Sequence, residues 1–304
     1  MHKIVSSIVL ILFFLIKLHI ACAQTNTSQF DISTSHPIEP VAYHYDDLQT
    51  YSPAPNTKRA WMDTLAYPPD MYGGFTMISA LAAPVYLTTN QVNFLKKSVK
   101  FPANSSDQTR AELDFLLELQ EKRTPEESER VMEIARVGFW PHINAVPTHP
   151  SYERNLHNLF YECREVVGED CTASNYPHTS HLLEGAMNDM RLIEFATKFE
   201  QLRARPYQLD DRLDPLTRIN TPSFASGHTL WAYVQAYIFS ELIPEKRQAF
   251  LDIAYEVGYS REVLGVHYPS DEEAARQLSH RMIHLMWHTE KFQEDLMKAK
   301  EEWE

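Results

Sequence analysis

Glycine and cysteine are both scarce in this sequence. Only eight glycines and three cysteines occur among its 304 residues. Tight turns between strands need glycine more than most other residues, so its scarcity favours helices over a fold of strands and turns. The sequence also contains no repeat of 20–50 residues and no low-complexity tract, which excludes repeat architectures. Its 44% hydrophobic and 23% charged residues are ordinary for a globular protein.

Basic residues are too few to balance the acidic ones. The chain has 28 lysines and arginines against 41 aspartates and glutamates, a formal net charge of −13 at pH 7. A surface of this sign argues against nucleic acid or an anionic membrane as a partner. An anionic ligand therefore needs a local basic pocket.

Long apolar runs are absent after the N-terminus. Lys3 precedes an apolar run over residues 4–16, and the small residues 21–23 stand just before Gln24. This is the pattern of a secretory signal peptide, and the run is shorter than the ~20 residues that span a bilayer. We therefore predict that residues 1–23 are a signal peptide, with a retained membrane anchor as the alternative. The mature protein is then expected to be periplasmic or secreted, with no integral membrane domain.

Two of the cysteines lie in the predicted mature chain. Cys163 and Cys171 are eight residues apart, and a nearby pair in an exported protein favours a local disulfide. We predict that the two are bonded and that the bond is structural; two free thiols are the alternative.

Helix signals dominate from residue 85 onward. Thr124 followed by Pro125 and two glutamates is a typical helix start, and the residues from Ser270 to Glu273 resemble a capping box. Residues 24–84 are instead rich in Pro, Tyr, Ser and Thr, which predicts an irregular N-terminal segment that packs on the core. We predict an all-α fold with a single helical bundle over residues 85–304. The predicted helices in its second half are 151–165, 178–203, 227–242, 244–263, 271–289 and a tail helix within 289–303.

Five histidines between residues 142 and 181 have no spacing typical of a metal site, so we predict no metal there. They are His142, His149, His157, His178 and His181.

Three polar clusters lie between residues 198 and 271. In the first, Lys198 and Arg205 are seven residues apart. Two helical turns then place both on one face of a predicted helix, which Pro206 should end. In the second, Ser226-Gly227-His228 precedes an apolar run, and the N–H groups of a helix N-terminus can bind an anion.

The third cluster combines Arg261, His267 and Asp271. An aspartate four residues after a histidine can accept the proton of Nδ1, which leaves Nε2 as a nucleophile. Each cluster alone also has a structural explanation: a solvated basic helix end, a simple serine cap, or a buried and hydrogen-bonded histidine. Together they suit an anionic tetrahedral group such as phosphate.

The spacing of the three clusters resembles that of the type 2 phosphatidic acid phosphatase superfamily, and most closely the soluble class A bacterial non-specific acid phosphatases. The family pattern is Lys-x6-Arg-Pro, then Pro-Ser-Gly-His, then Ser-Arg-x5-His-x3-Asp. This sequence departs from it once, at Ala225, where the family has proline; we expect a modest effect. The resemblance covers residues 85–304 and implies a helical bundle of the acid phosphatase and vanadium haloperoxidase type.

The resemblance implies an acid phosphatase that hydrolyses phosphate monoesters without metal or other cofactor. His267 would attack phosphorus to form a phosphohistidine, Asp271 would hold its tautomer, and a protonated His228 would donate to the leaving alcohol. Two histidines in opposite protonation states predict a bell-shaped pH profile, and we expect its optimum on the acid side. The expected phosphate-binding residues are Lys198, Arg205, Ser226, Gly227 and Arg261.

Several further expectations follow from the resemblance. Phosphate or vanadate analogues should inhibit the enzyme, and a homo-oligomer is compatible with the family. A vanadium-dependent haloperoxidase and a non-catalytic phosphate-binding protein are the alternatives. The substrate itself cannot be named from the motifs, because other loops contact the leaving group.

Overall fold

In the computed structural model of the protein, helices make up all regular structure of residues 42–68 and 74–304, which are the residues it describes. The all-α prediction is therefore confirmed. The side chains of residues 74, 75 and 77 are not described, and the predicted signal peptide, residues 1–23, lies outside the described residues.

The helices differ widely in length, and the connections between them range from single residues to the long segment between Leu209 and Gly227. In chain order they are α1 Tyr43–Leu48, a 3-10 helix Thr57–Thr64, α2 Gly74–Ala80, α3 Thr89–Leu95, α4 Asp107–Lys122, α5 Pro125–Ile134, α6 Pro141–Asn144, α7 Tyr152–Leu159, α8 Tyr161–Val166, α9 Pro177–Gln201, α10 Pro206–Leu209, α11 Gly227–Leu242, a 3-10 turn Pro244–Lys246, α12 Arg247–Val263, α13 Pro269–Trp287 and α14 Glu290–Lys300.

Most predicted helices in the second half of the chain occur within a few residues of their expected ends. The helix 227–242 has the predicted bounds, whereas the predicted helix 151–165 is two helices, α7 and α8, that meet at Phe160. The segment predicted to be irregular contains α1, the first 3-10 helix and α2. Of these, α1 packs on α4 and α13, and α2 packs on α9.

Helix α11 lies at the centre of the bundle. It packs against α12, α13 and α9, and nearly all of its residues are buried, including Trp231, Val234 and Phe239. A helix that is apolar on all sides must be covered on all sides, which explains its central position. Neither α11 nor another helix in the described ranges is long and apolar enough to cross a membrane.

The predicted disulfide is present. Cys163 of α8 bonds to Cys171 in the following loop, with their Cα atoms 5.8 Å apart, and both side chains are buried. The bond closes the loop between α8 and α9 and so fixes the start of the long helix α9.

The prediction that Lys198 and Arg205 lie on one helix is wrong. Helix α9 ends at Gln201, because Leu202 adopts a left-handed conformation (φ 50°) and its N–H bonds to the carbonyl of Lys198. Arg205 instead precedes the short helix α10, and Pro206 takes the first position of that helix. Proline suits a first helical position because it has no N–H to satisfy. The chain thus turns between the two cations, and tertiary contacts bring them together.

Candidate active site

His267 lies in the link between α12 and α13, and both of its ring nitrogens have partners. Its Nδ1 is 3.1 Å from Oδ2 of Asp271, and its Nε2 is 2.9 Å from Nη1 of Arg205. A guanidinium nitrogen can only donate a hydrogen bond, so Nε2 must accept one. The proton of the neutral ring therefore lies on Nδ1, facing Asp271, and Nε2 carries a lone pair.

Burial and neighbouring cations keep this ring neutral. The pKa of His267 lies well below its usual value because the ring is buried and because Arg205 and Lys198 are close, although Asp271 opposes the shift. The lone pair on Nε2 is therefore available even in mildly acidic solution.

Asp271 is held as a carboxylate by a buried network. Nη1 of Arg203 donates to Oδ1 at 2.6 Å, and the backbone N–H of Tyr268 and the hydroxyl of Ser223 donate to Oδ2. Burial acts to raise the pKa of Asp271, but Arg203 and the hydrogen bonds from His267 and Ser223 outweigh it, so the pKa lies well below the usual range. A permanently ionised Asp271 fixes the orientation of His267.

Arg203 was not identified from the sequence. Its side chain is fully buried between Asp271 and Glu112, and its guanidinium lies 3.8 Å from the ring centroid of Tyr268. Burial raises the pKa of Glu112 to about 7 despite Arg203 and a hydrogen bond from Ser270. The only sequence signal was the position of Arg203 inside the first cluster, two residues before Arg205.

Arg205 is fixed by four hydrogen bonds to three residues. Its Nε and Nη2 donate to the carbonyl and hydroxyl oxygens of Thr221 at 2.9 and 3.0 Å, and Nη1 donates to the carbonyl of Val266 as well as to His267. A side chain held in this way loses little further entropy when an anion binds.

Lys198 is buried in the last turn of α9. Its Nζ donates to the carbonyls of Pro222 and Ser223 at 2.8 and 3.1 Å. Burial, followed by the charge of Arg205, lowers the pKa of Lys198 to about 7. Its charge in the free protein therefore depends on pH near neutrality.

Arg261 supplies donors that the protein itself does not use. Its side chain is 1% exposed, and its Nε and Nη1 have no hydrogen-bond partner in the described part of the chain. Burial lowers its pKa to about 10, with Glu272 opposing the shift and Arg205 adding to it. Buried guanidinium donors without partners are costly unless a ligand satisfies them.

The N-terminus of α11 forms the second side of the site. The hydroxyl of Ser226 accepts a hydrogen bond from the N–H of Thr229 and so caps the helix. Gly227 lies against a carboxylate, since a Cβ atom at this position would come within 2.0 Å of Oε1 of Glu194. A side chain at this position would displace the carboxylate of Glu194, which pairs with Arg191. Ala225, which stands where the resembling family has proline, is fully buried, and its peptide bond with Phe224 is cis.

His228 differs from His267 in having a free ring atom. It lies in the first turn of α11, and its Nε2 has no hydrogen-bond partner among the described residues. Burial and the nearby Arg261, Arg191 and His267 hold the pKa of His228 well below its usual value, against a hydrogen bond to the backbone of Ala135. The free protein therefore disfavours the charged form of His228, whereas the resemblance implied a protonated ring.

These groups surround one cavity of about 330 Å³. Six of the predicted site residues line it, while Ser226 and Asp271 lie behind its wall as cap and support. The lining residues from the sequence prediction are Lys198, Arg205, Gly227, His228, Arg261 and His267, and the other lining residues are Thr76, Trp140, Arg191, Glu194, Phe195, Arg218, Ile219, Asn220 and Thr221.

An ion pair in the cavity wall has no sequence signature. Nη1 of Arg191 donates to Oε2 of Glu194 at 2.7 Å, and the same guanidinium lies 4.2 Å from the ring centroid of Trp140. Both charged side chains are buried. The carboxylate of Glu194 offsets part of the positive charge of Lys198 and Arg205.

Comparison with known proteins confirms the resemblance found in the sequence. Residues 186–295 match the family model of the PAP2 superfamily, and this segment contains all three clusters. A non-specific acid phosphatase of Providencia stuartii is 30% identical over 146 residues, which are 45% of this chain and 58% of that protein. One from Salmonella typhimurium is 29% identical over 144 residues, or 45% of this chain and 57% of that protein.

The match spans somewhat more than half the length of these curated relatives.

Among solved structures, a bacterial vanadium-dependent iodoperoxidase superposes with a TM-score of 0.51 at 19% identity, covering 76% of this chain and 63% of that chain. At this level of identity the superposition shows a shared fold and carries no conclusion about activity.

Proposed function

We propose that the protein hydrolyses phosphate monoesters through a phosphohistidine formed on His267. One observation carries the proposal: the unprotonated Nε2 of His267 faces a cavity that Lys198, Arg205 and Arg261 also line. A nucleophile surrounded by fixed cations suits attack on an anionic phosphoryl group. The similarity to non-specific acid phosphatases supports the same chemistry.

In the first step the phosphoryl group replaces His267 as the partner of Arg205. The bond between Arg205 Nη1 and His267 Nε2 breaks, and the guanidinium donates to a phosphoryl oxygen instead. The freed lone pair of Nε2 attacks phosphorus as the P–O bond to the alcohol breaks. Lys198 and Arg261 bind the remaining oxygens, on which negative charge is concentrated in the transition state.

His228 is the proposed proton donor to the leaving alcohol. It is neutral in the free protein, but an anionic phosphoryl group within a few ångströms raises the pKa of a histidine. The ring then takes up a proton when the substrate binds. In the second step a water molecule gives a proton to His228 and attacks phosphorus, the N–P bond breaks, and phosphate leaves with His267 neutral again.

The proposed reaction does not require a metal ion. Many phosphoryl-transfer enzymes use metal ions to neutralise the negative charge on the transferring phosphoryl group. Here three side chains can supply that positive charge: Lys198, Arg205 and Arg261. Activity should therefore be unchanged by a chelator. We expect inorganic phosphate and vanadate to inhibit by occupying the same cations.

Export is part of the proposal. The signal peptide predicted for residues 1–23 would direct the protein to export. The disulfide between Cys163 and Cys171 is typical of proteins in oxidising compartments. A homo-oligomer stays a prediction of the resemblance.

Hydrolysis of p-nitrophenyl phosphate tests the function directly. Wild-type protein should release p-nitrophenol with and without chelator, and His267→Ala should abolish turnover. His149→Ala, which replaces an exposed histidine outside the cavity, is the matched control and should be fully active. Turnover by the His267→Ala variant would contradict the assignment of the nucleophile.

Two further assays separate the phosphatase from a phosphate-binding protein and from a haloperoxidase. Binding of phosphate without hydrolysis of any monoester would identify a phosphate-binding protein. Oxidation of bromide or iodide by hydrogen peroxide after addition of vanadate, without phosphatase activity, would identify a haloperoxidase. Vanadate has the charge and shape of phosphate, so the cations that line the cavity could hold it as well, and the oxidation assay tests this alternative.

A further inference from the structure

One wall of the active-site cavity is a loop, residues 218–221, that takes no part in the proposed reaction steps. All four of its residues line the cavity. Thr221 at its end holds Arg205, as described above, so the loop is joined directly to the phosphate-binding groups. The loop therefore borders the same cavity as the phosphate-binding groups, next to Arg205.

The loop is held in place by Tyr207 of α10. The Tyr207 hydroxyl is 3.3 Å from both the backbone nitrogen and the carbonyl oxygen of Ile219, so it can accept from one and donate to the other. The guanidinium of Arg218 lies 4.9 Å from the centroid of the Tyr207 ring, within the range of a cation–π contact. Arg218 is thus positioned by an aromatic ring rather than by an acid.

Arg218 has no hydrogen bond or ion pair with a described residue, and its side chain is exposed. The exposed Arg110 and Arg212 pair with Asp114 and Asp210, whereas Arg218, like the exposed Arg136 and Arg154, has no acidic partner among the described residues; Arg218 is the one of these three that lines the active-site cavity. An arginine left without an acid at the cavity wall, in a chain with 41 acidic and 28 basic residues, is available to a ligand.

The phosphate itself does not need Arg218. Lys198, Arg205 and Arg261 are buried around His267, whereas Arg218 is exposed. The cavity volume of about 330 Å³ is near the low end for small-ligand pockets, about 300–1,000 Å³. It therefore fits a phosphate group joined to a small alcohol.

We propose that Arg218 selects phosphate monoesters whose alcohol part carries a second anionic group, such as a carboxylate. The planar guanidinium presents paired donors that match a carboxylate. The inference rests on the proposed phosphatase function and names the substrate class for the same site. It makes Arg218 a specificity residue that contacts the substrate away from the reacting phosphorus.

Two substrates that differ by one carboxylate test the inference. The ratio of kcat/KM for 3-phosphoglycerate to that for glycerol 3-phosphate should exceed one in the wild type. It should fall about fivefold in Arg218→Gln, the upper range for an exposed ion pair. Arg218→Lys keeps the charge and should restore part of the ratio. 6-Phosphogluconate and glucose 6-phosphate form a second pair with the same logic.

Arg212→Gln is the matched control, because it removes an equal charge six residues earlier, from a residue that does not line the cavity. Its substrate ratio should equal that of the wild type. A ratio unchanged by Arg218→Gln would overturn the inference. If kcat/KM falls equally for both substrates, the ratio is unchanged and Arg218 is instead a phosphate ligand. If the wild type hydrolyses none of the four substrates and no p-nitrophenyl phosphate, the proposed function fails instead.

Discussion

The two histidines of the site lie at helix N-terminal ends that are built very differently. His267, just before α13, has both ring nitrogens bound, and its partner Asp271 is in turn held by Arg203, Ser223 and Tyr268. His228, in the first turn of α11, has an Nε2 without a partner. Under the proposed mechanism, the nucleophile His267 is therefore organised before the substrate arrives, whereas the proton donor His228 gains its partner only when the substrate binds.

After the loss of turnover expected for His267→Ala, the largest effect is expected from removing the proposed proton donor. His228→Ala should lower kcat/KM about 10²–10⁴-fold for an alkyl phosphate, because an alkoxide is a poor leaving group without a proton. The loss should be much smaller for p-nitrophenyl phosphate, whose phenolate leaves without one. The measurement is kcat/KM for both substrates in both proteins.

His149→Ala serves as the control for the loss of an imidazole outside the cavity. Equal losses for the alkyl and nitrophenyl esters would contradict the role of His228 as an acid. They would instead point to a role in binding the phosphate.

A smaller effect is expected on the side of His267, where Ser223 supports Asp271. Ser223→Ala removes one of several hydrogen bonds to this carboxylate, a loss of about 1 kcal/mol. We expect kcat to fall about fivefold with KM unchanged, because the phosphate-binding cations remain in place. Steady-state kinetics at several pH values measures both quantities.

Ser279→Ala is the matched control, since Ser279 is also fully buried but donates to carbonyls of α11 and α13. A change in KM alone for Ser223→Ala would place Ser223 in substrate binding and not in the support of the nucleophile.

The smallest signal is a proton taken up when phosphate binds. Burial lowers the pKa of Lys198 to about 7 and holds that of His228 well below its usual value. An anion bound beside them raises both pKa values, so binding at about pH 8 should consume protons. Because the charge of Lys198 in the free protein is lost as pH rises through about 7, the affinity for phosphate should fall over the same range.

Titration calorimetry with inorganic phosphate in buffers of different ionisation enthalpy measures this uptake. At about pH 5.5 Lys198 is already charged, so the uptake that remains there should come from His228. Proton release on phosphate binding at pH 8, or a phosphate affinity that rises with pH, would contradict the proposed proton uptake by Lys198 and His228.

The sequence grouped Lys198, Arg205 and Arg261 by residue type and spacing, and the structure places all three around one cavity. That they bind phosphate stays a prediction. The sequence did not predict that Arg205 lies beyond the end of α9. A left-handed residue at a helix end is usually glycine, and here it is Leu202. The helical bundle itself was predictable, because caps and apolar periodicity are local signals.

The groups that the sequence did not reveal act through tertiary contacts. Arg203 reaches the site because Asp271 and Glu112 contact it from other helices, and the carboxylate of Glu194 lies against Gly227. Arg218 has no ion pair with a described residue, and no local sequence pattern predicts whether an arginine will have one. Such roles depend on residues brought together by the fold, so single-sequence reasoning does not reach them.

The most direct test of the account is to trap the covalent intermediate. Rapid mixing with a labelled phosphate monoester, followed by an alkaline quench, should yield label on the peptide that contains His267, bound to Nε2 and lost in acid. The His267→Ala protein should carry no label. Label on another residue, or turnover of the wild type without any labelled protein, would contradict the central claim that His267 is the nucleophile.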